Sequence, residues 1–212
     1  MIDDAAGLAA RLVREHGTLF ATEAGIELTD EPQPLWQLLV MVQLLSARIS
    51  SDAALAAARE LWAAGWSSPR ALRGSTWNQR VAALGRGGYR RYDFSTATRL
   101  GANADMIDSR WGDDLRRLRD EAATPAGISK QLQAFDGIGP VGASIFLREV
   151  QSVWPSVRPY ADKLVLKGAA TAGLPTNADR LAALVPSEDM ARLAAALVRV
   201  ARHGPTSSLD LS

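Results

Sequence analysis

Cysteine is absent from the chain, and that gap removes disulfides, thiolate metal sites, iron–sulfur clusters and a cysteine nucleophile together. Histidine is almost as scarce. His16 and His203 lie near opposite ends, too few ligands for a zinc site, so no transition metal is expected. Lysine is confined to Lys130, Lys163 and Lys167, and a net charge of +1 provides no global positive field to attract a polyanion. Any phosphate contact has to come from a local patch. The remaining cations are arginines, a bias that codon composition explains as readily as function. Long apolar runs are missing too. The longest, Leu35 to Leu45, is too short to cross a bilayer, and no charged-then-apolar leader opens the sequence. A soluble, cytoplasmic protein without membrane contact is the expectation.

What is present is a large apolar fraction, 47% of 212 residues, enough to bury a core as one domain or two small lobes. Its periodicity is helical throughout, with no useful period-2 alternation, no repeat of 20–50 residues and no low-complexity linker. Residues 4–16 place Leu8, Leu12 and Val13 on one face. Glu27 to Pro34 reads as a loop, and Leu35 to Arg48 as a helix buried almost all round. Ser51 and Asp52 cap the next helix, Ser68-Pro69 opens a short one, and Thr76 with Gln79 forms a capping box. A helix starts near Asp93, and two more span Asp108 to Leu118 and Thr124 to Phe135. Ser187 caps a final helix that Gly204-Pro205 stops, ahead of a polar, disordered tail. The predicted fold is all-α.

One stretch organises the rest: LQAFDGIGPVGASIF, residues 132–146. Gly137 and Gly139, two residues apart between helical runs, allow a turn tight enough for backbone to meet a phosphate. Pro140 suits the first helical position, where an N–H has no partner in any case. The amides of Gly139, Val141 and Gly142 then point out of a helix N-terminus, where the dipole favours an anion. The pattern reads as a helix–hairpin–helix whose usual ligand is a DNA backbone. The plainer alternative, an ordinary corner with glycine chosen for its dihedrals, fits an isolated GxG equally well.

Three stretches taken together resemble the helix–hairpin–helix DNA glycosylase superfamily, nearest its endonuclease III branch. They are Leu44-Leu45-Ser46-Ala47-Arg48, the hairpin from Phe135 to Ala143, and Trp154-Pro155 followed by Ala161-Asp162. The likeness runs over roughly residues 35–185. It implies two helical lobes with a DNA-binding cleft: residues 1–34 plus 125–212, holding the hairpin (131–150) and the catalytic segment, and a bundle of residues 35–124. It also implies base-excision repair, in which a damaged or mispaired base is flipped from duplex DNA and its N-glycosidic bond is cut.

By that resemblance Asp162 is the catalytic carboxylate, stabilising an oxocarbenium-like sugar and orienting water. On sequence alone it equally caps the following helix, and the two are compatible. Val141 stands where bifunctional members carry a lysine nucleophile. Valine cannot form a Schiff base, so the expected enzyme is a monofunctional glycosylase. Lys163 neighbours Asp162, but adjacent helical residues point about 100° apart, and it reads as a phosphate contact or surface charge. Arg48 stands where the branch has a glutamine that fills the hole left by a flipped base; the alternative is a solvated arginine at a helix end. Leu44 stands where the adenine-excising branch has a glutamate, which disfavours that branch.

Arg86, Tyr89, Arg90, Arg91 and Tyr92 mix cations with rings at a glycine break, suiting phosphate contact and base stacking, or simply a solvated face. Tyr89 and Trp154 are candidates for a base pocket or wedge. The resemblance also implies a monovalent cation held by the main-chain carbonyls of Gln133, Phe135 and Ile138, with no cofactor required and no iron–sulfur cluster. The expected partner is double-stranded DNA, bound by a monomer, which in a prokaryote places the protein at the nucleoid. A non-catalytic protein recognising damaged or distorted duplex is the alternative, as is a structural relative that does not use DNA.

Overall fold

A computed structural model describes residues 2–203, and every regular element among them is helical, with no strand. No helix among the described residues is long and apolar enough to cross a membrane. The described chain clusters into two compact units. One joins the chain up to Phe20 with the chain from Leu147 onward, and the other is Ala21–Phe146. Residues 21–34 and 125–146, expected with the chain termini, therefore cluster with the middle of the chain. Polar ties explain the difference. Arg119 donates to the Asp30 carboxylate at 2.9 Å, and Asn103 holds both backbone polar groups of Asp136.

The unit 21–146 is built on α3 (Pro32–Leu45), whose side chains from Leu35 to Leu44 are all buried. Pro32 and Pro34 occupy the first turn, so the helix starts inside the stretch expected as loop. It ends at Leu45, three residues before Arg48, which lies in the following turn. Around it stand α4 (Ser51–Ala63), α5 (Pro69–Arg73), α6 (Trp77–Arg86), α7 (Asp93–Trp111), α8 (Leu115–Ala122) and α9 (Pro125–Leu132), after the single turn α2 (Phe20–Glu23). The caps follow sequence chemistry. Thr76 and Gln79 make both bonds of the capping box, and Thr124 accepts from the Gly127 amide. For α4 the cap is Ser50, one residue earlier than expected.

The single helix expected over Asp108–Leu118 is two. Gly112 at φ 58° and Asp113 at φ 65° turn the chain left-handed, ending α7 and freeing Asp114 to cap α8. Asp113 is then held by both guanidinium nitrogens of Arg73 at 2.7 Å, which compensates a non-glycine residue for that conformation.

The other unit packs α13 (Met190–His203) against α1 (Ile2–His16) and α11 (Lys163–Thr171), with α12 (Ala178–Ala182) alongside in sequence. Gly168 is the contact point of α11, since a Cβ there would overlap the Leu197 carbonyl of α13. Arg192 and Arg199 of α13 donate to the carbonyls of Val13 and His16, tying the two chain ends. Before Met190 the chain makes a 3-10 turn at Ser187–Asp189 rather than continuing the α-helix. The expected stop at Gly204-Pro205 and the polar tail lie outside the described residues. The last helix between the units in sequence is α10 (Pro140–Val150), and the division falls inside it.

Candidate functional site

The stretch 133–139 is a turn between α9 and α10, and Gly137 at φ 86° is what permits it. A side chain at Gly137 would crowd Arg99 and Gln43, at 3.3 and 3.4 Å. Gly139 faces open space, and Val141, in the first turn of α10, is 70% exposed. Gly142 differs: it is buried, and a Cβ there would stand 2.6 Å from Ser46 Oγ, so its lack of side chain lets α10 close on α3. Of the carbonyls expected to face a cation, that of Phe135 accepts the Ile138 amide at 3.1 Å. A carbonyl oxygen has a second lone pair, so this hydrogen bond does not by itself occupy the Phe135 oxygen.

The turn is pinned by a residue that sequence reasoning missed. Asn103, on α7 and buried, accepts the Asp136 amide at 2.8 Å and donates to the Asp136 carbonyl at 3.0 Å. Its Nδ2 also donates to Gln43 Oε1 at 3.0 Å. The Asp136 N–H can only donate, which fixes the orientation of the Asn103 amide and, through it, that of Gln43. The second nitrogen of the chain, Gln43 Nε2, is buried with no hydrogen-bond partner among the described residues. The two glutamines inside the apolar run Leu35–Leu45, Gln37 and Gln43, were the available signal, and nothing in the sequence separates them.

Gln43 lines a pocket of about 290 Å³, shared with Arg48, Tyr89, Thr96, Arg99 and Gly137 among others. That is close to the lower end of small-molecule sites, roughly 300 Å³. Tyr89 is fully buried in its wall, donating to the Leu44 carbonyl at 3.3 Å. Burial pushes the Tyr89 phenol above its ordinary pKa, against the opposing pull of a Thr96 hydrogen bond and the Arg99 charge. Arg48 and Arg99 are exposed and make no ion pair among the described residues, and no carboxylate lines the pocket.

The arginine–tyrosine cluster divides. Arg86 is paired with Glu60 at 2.7 Å, and Arg91 lies over the Tyr92 ring at 5.3 Å. Arg90 is exposed, as are Lys163 and Val141. Trp154 is 1% exposed and serves as core, offering no ring face to a base.

Asp162 belongs to the other unit, at the N-cap of α11. Its Oδ1 accepts the amides of Leu164 and Val165 at 3.0 Å, and Oδ2 accepts Arg148 at 2.8 Å. Arg148, on α10, has only 6% of its side chain accessible, while Asp162 keeps 13%. The carboxylate is thus fixed in direction yet reachable. Gln151 braces the segment before it, donating to the carbonyls of Arg148 and Tyr160 and accepting the Tyr160 amide. Arg158 spans the loop to the carbonyls of Gln151 and Ser152. Further into this unit, burial lowers the pKa of Arg202, and the charges of Arg148 and Arg199 add to that. No cluster of histidines and carboxylates that could hold a metal occurs among the described residues.

No protein-family model matches the chain, and no curated protein matches it.

Proposed function

We propose that the protein is a monofunctional DNA N-glycosylase of the helix–hairpin–helix kind, hydrolysing the bond between deoxyribose and a damaged or mispaired base. The observation that carries the reading is the setting of Asp162. Three hydrogen bonds hold its carboxylate, yet it remains accessible at the start of α11. Such a group stabilises positive charge developing on the sugar without having to reorganise during the reaction. Water adds to C1′, the glycosidic bond breaks, and the base leaves with a proton, giving an abasic site. Val141, exposed on α10, has no amine for a Schiff base, and this leaves strand scission out of the mechanism.

The turn holding Gly137 and Gly139 and the exposed Val141 at the start of α10 support a phosphate contact through backbone amides, and Gly142 sets how closely α10 approaches α3. A monovalent cation on the Gln133, Phe135 and Ile138 carbonyls would add positive charge at that contact. Arg48, Arg90, Arg91 and Lys163 are further cations for the duplex. Tyr89, buried, acts through the pocket wall and not as a stacking platform.

The test is a panel of end-labelled duplexes with single lesions, incubated with wild type and with Asp162→Asn, each half read directly and half after hot alkali. Cleavage only after alkali, lost in the variant, is the expected result. Scission without alkali would overturn the monofunctional mechanism and direct attention to Lys163. Lesion-dependent binding with no cleavage would favour the alternative, a non-catalytic protein that recognises distorted duplex.

A further inference from the structure

We infer that the pocket bordered by Arg48 and Arg99 binds a phosphate monoester, either a free nucleotide or the phosphorylated end of a nucleic-acid strand. Every residue that lines it lies within the unit Ala21–Phe146, so the inference draws on neither Asp162 nor the glycosylase reading.

Three parts of that unit meet at the pocket: the turn after α3 with Arg48, the first turns of α7 with Ser95 and Arg99, and Gly137 of the turn before α10. Arg99 lies along the Gly137 wall. Its Cδ and Nη1 stand 3.3 and 3.5 Å from the point where a side chain at Gly137 would begin, so the bare glycine leaves the guanidinium its room. Neither arginine has a carboxylate partner among the described residues. Asp93 and Asp136, next in sequence to the wall residues Tyr92 and Gly137, do not line the pocket, and Asp93 accepts the Phe94 amide instead. Two positive charges therefore border one cavity with no opposing charge in its wall.

Hydrogen bonding points the same way. Ser46 Oγ gives its hydrogen to the Val42 carbonyl at 2.7 Å, and Ser95 Oγ to the Tyr92 carbonyl at 3.1 Å. The guanidinium groups keep their hydrogens, and the fork they present matches the oxygens of a phosphate or a carboxylate. Charge separates those two ligands. A phosphate monoester carries about −1.5 to −2 at neutral pH on three acceptor oxygens, whereas a diester or a carboxylate brings a single charge. The volume, about 290 Å³, is near the lower end of small-molecule sites and leaves space for a body no larger than one nucleoside.

Thymidine 5′-monophosphate is the probe, titrated calorimetrically into the full chain beside thymidine and the methyl ester of the monophosphate, which has one charge fewer. The monophosphate should bind, the methyl ester about tenfold more weakly, and thymidine not at all. Arg48→Met and Arg99→Met should each weaken the monophosphate by roughly tenfold. Ser95→Glu should weaken it further, because a carboxylate four residues before Arg99 on α7 would pair with it. All three positions are exposed, and thermal melting checks that each variant is folded. Oligonucleotides with and without a 5′-phosphate then compete with the probe. Displacement by the phosphorylated strand at lower concentration than by the monophosphate itself assigns the pocket to a strand end, and the reverse order assigns it to a free nucleotide. Thymidine binding as tightly as its monophosphate would overturn the inference. So would an affinity unchanged in all three folded variants, or no binding of the monophosphate at about 10 mM.

Discussion

Asp162 and Gln43 are both polar groups inside helical units, and they are treated in opposite ways. Every oxygen of Asp162 is engaged: two amides on one side, Arg148 on the other, and Gln151 bracing the loop behind. Gln43 is held at its oxygen by Asn103 while its nitrogen stays unpartnered in a confined space. Leaving a buried N–H unmade costs on the order of 1–3 kcal/mol. The two sites therefore differ in what they spend: one is fully satisfied, and the other carries a cost in stability. The first site fixes the direction of a charge, and the second leaves an enclosed donor without a partner.

The sharpest way to break that contrast is at Arg148. Arg148→Met should cost about 3–5 kcal/mol in urea denaturation, because Asp162 would keep a largely buried charge with no counter-ion. Adding Asp162→Asn to it should recover part of the loss. Equal costs for the single and double variants would mean that the pair is not the frame proposed here.

At the other site Asn103→Leu should cost about 2 kcal/mol, since it strips both partners from the Asp136 backbone and one from Gln43. A variant as stable as wild type would mean that Asn103 does not hold the Asp136 turn.

The smallest effect expected is pH-dependent. The Tyr89 phenol, raised by burial above its ordinary value of 10.0, titrates later in the folded chain than in the unfolded one. Its contribution is therefore complete below pH 10 and is lost as pH rises through the folded value. Tyr89→Phe should cost about 1 kcal/mol at neutral pH and flatten the alkaline limb of stability against pH. An unchanged alkaline limb would assign that loss to another group.

Local chemistry was legible in the sequence, and distant pairing was not. The Thr76–Gln79 box, the Asp162 cap and the left-handed glycine at 137 each depend on neighbours within a few residues, and each stands where the residue types put it. The break at Gly112 was missed because the apolar rhythm of Ile107, Trp111, Leu115 and Leu118 runs across it unbroken. Gln43, Asn103 and Asp136 come together over separations of 60 and 33 residues, which no spacing rule reaches. Arg148 is only 14 residues from Asp162, yet inside an apolar helix nothing marks it as a counter-ion. Arg48 lies beyond the end of α3, where it is exposed in a turn.

The first helix of the chain is bonded to the last described one, Val13 to Arg192 across 179 residues. During synthesis, then, α1 is made before every other described helix and waits longest for its partner. The insert Ala21–Phe146 is available to fold while α13 is still being made, and α1 stays without its partner until α13 is released. A chain cut short anywhere before Met190 would strand α1, leaving its buried Leu12 face open to whatever apolar surface it meets first.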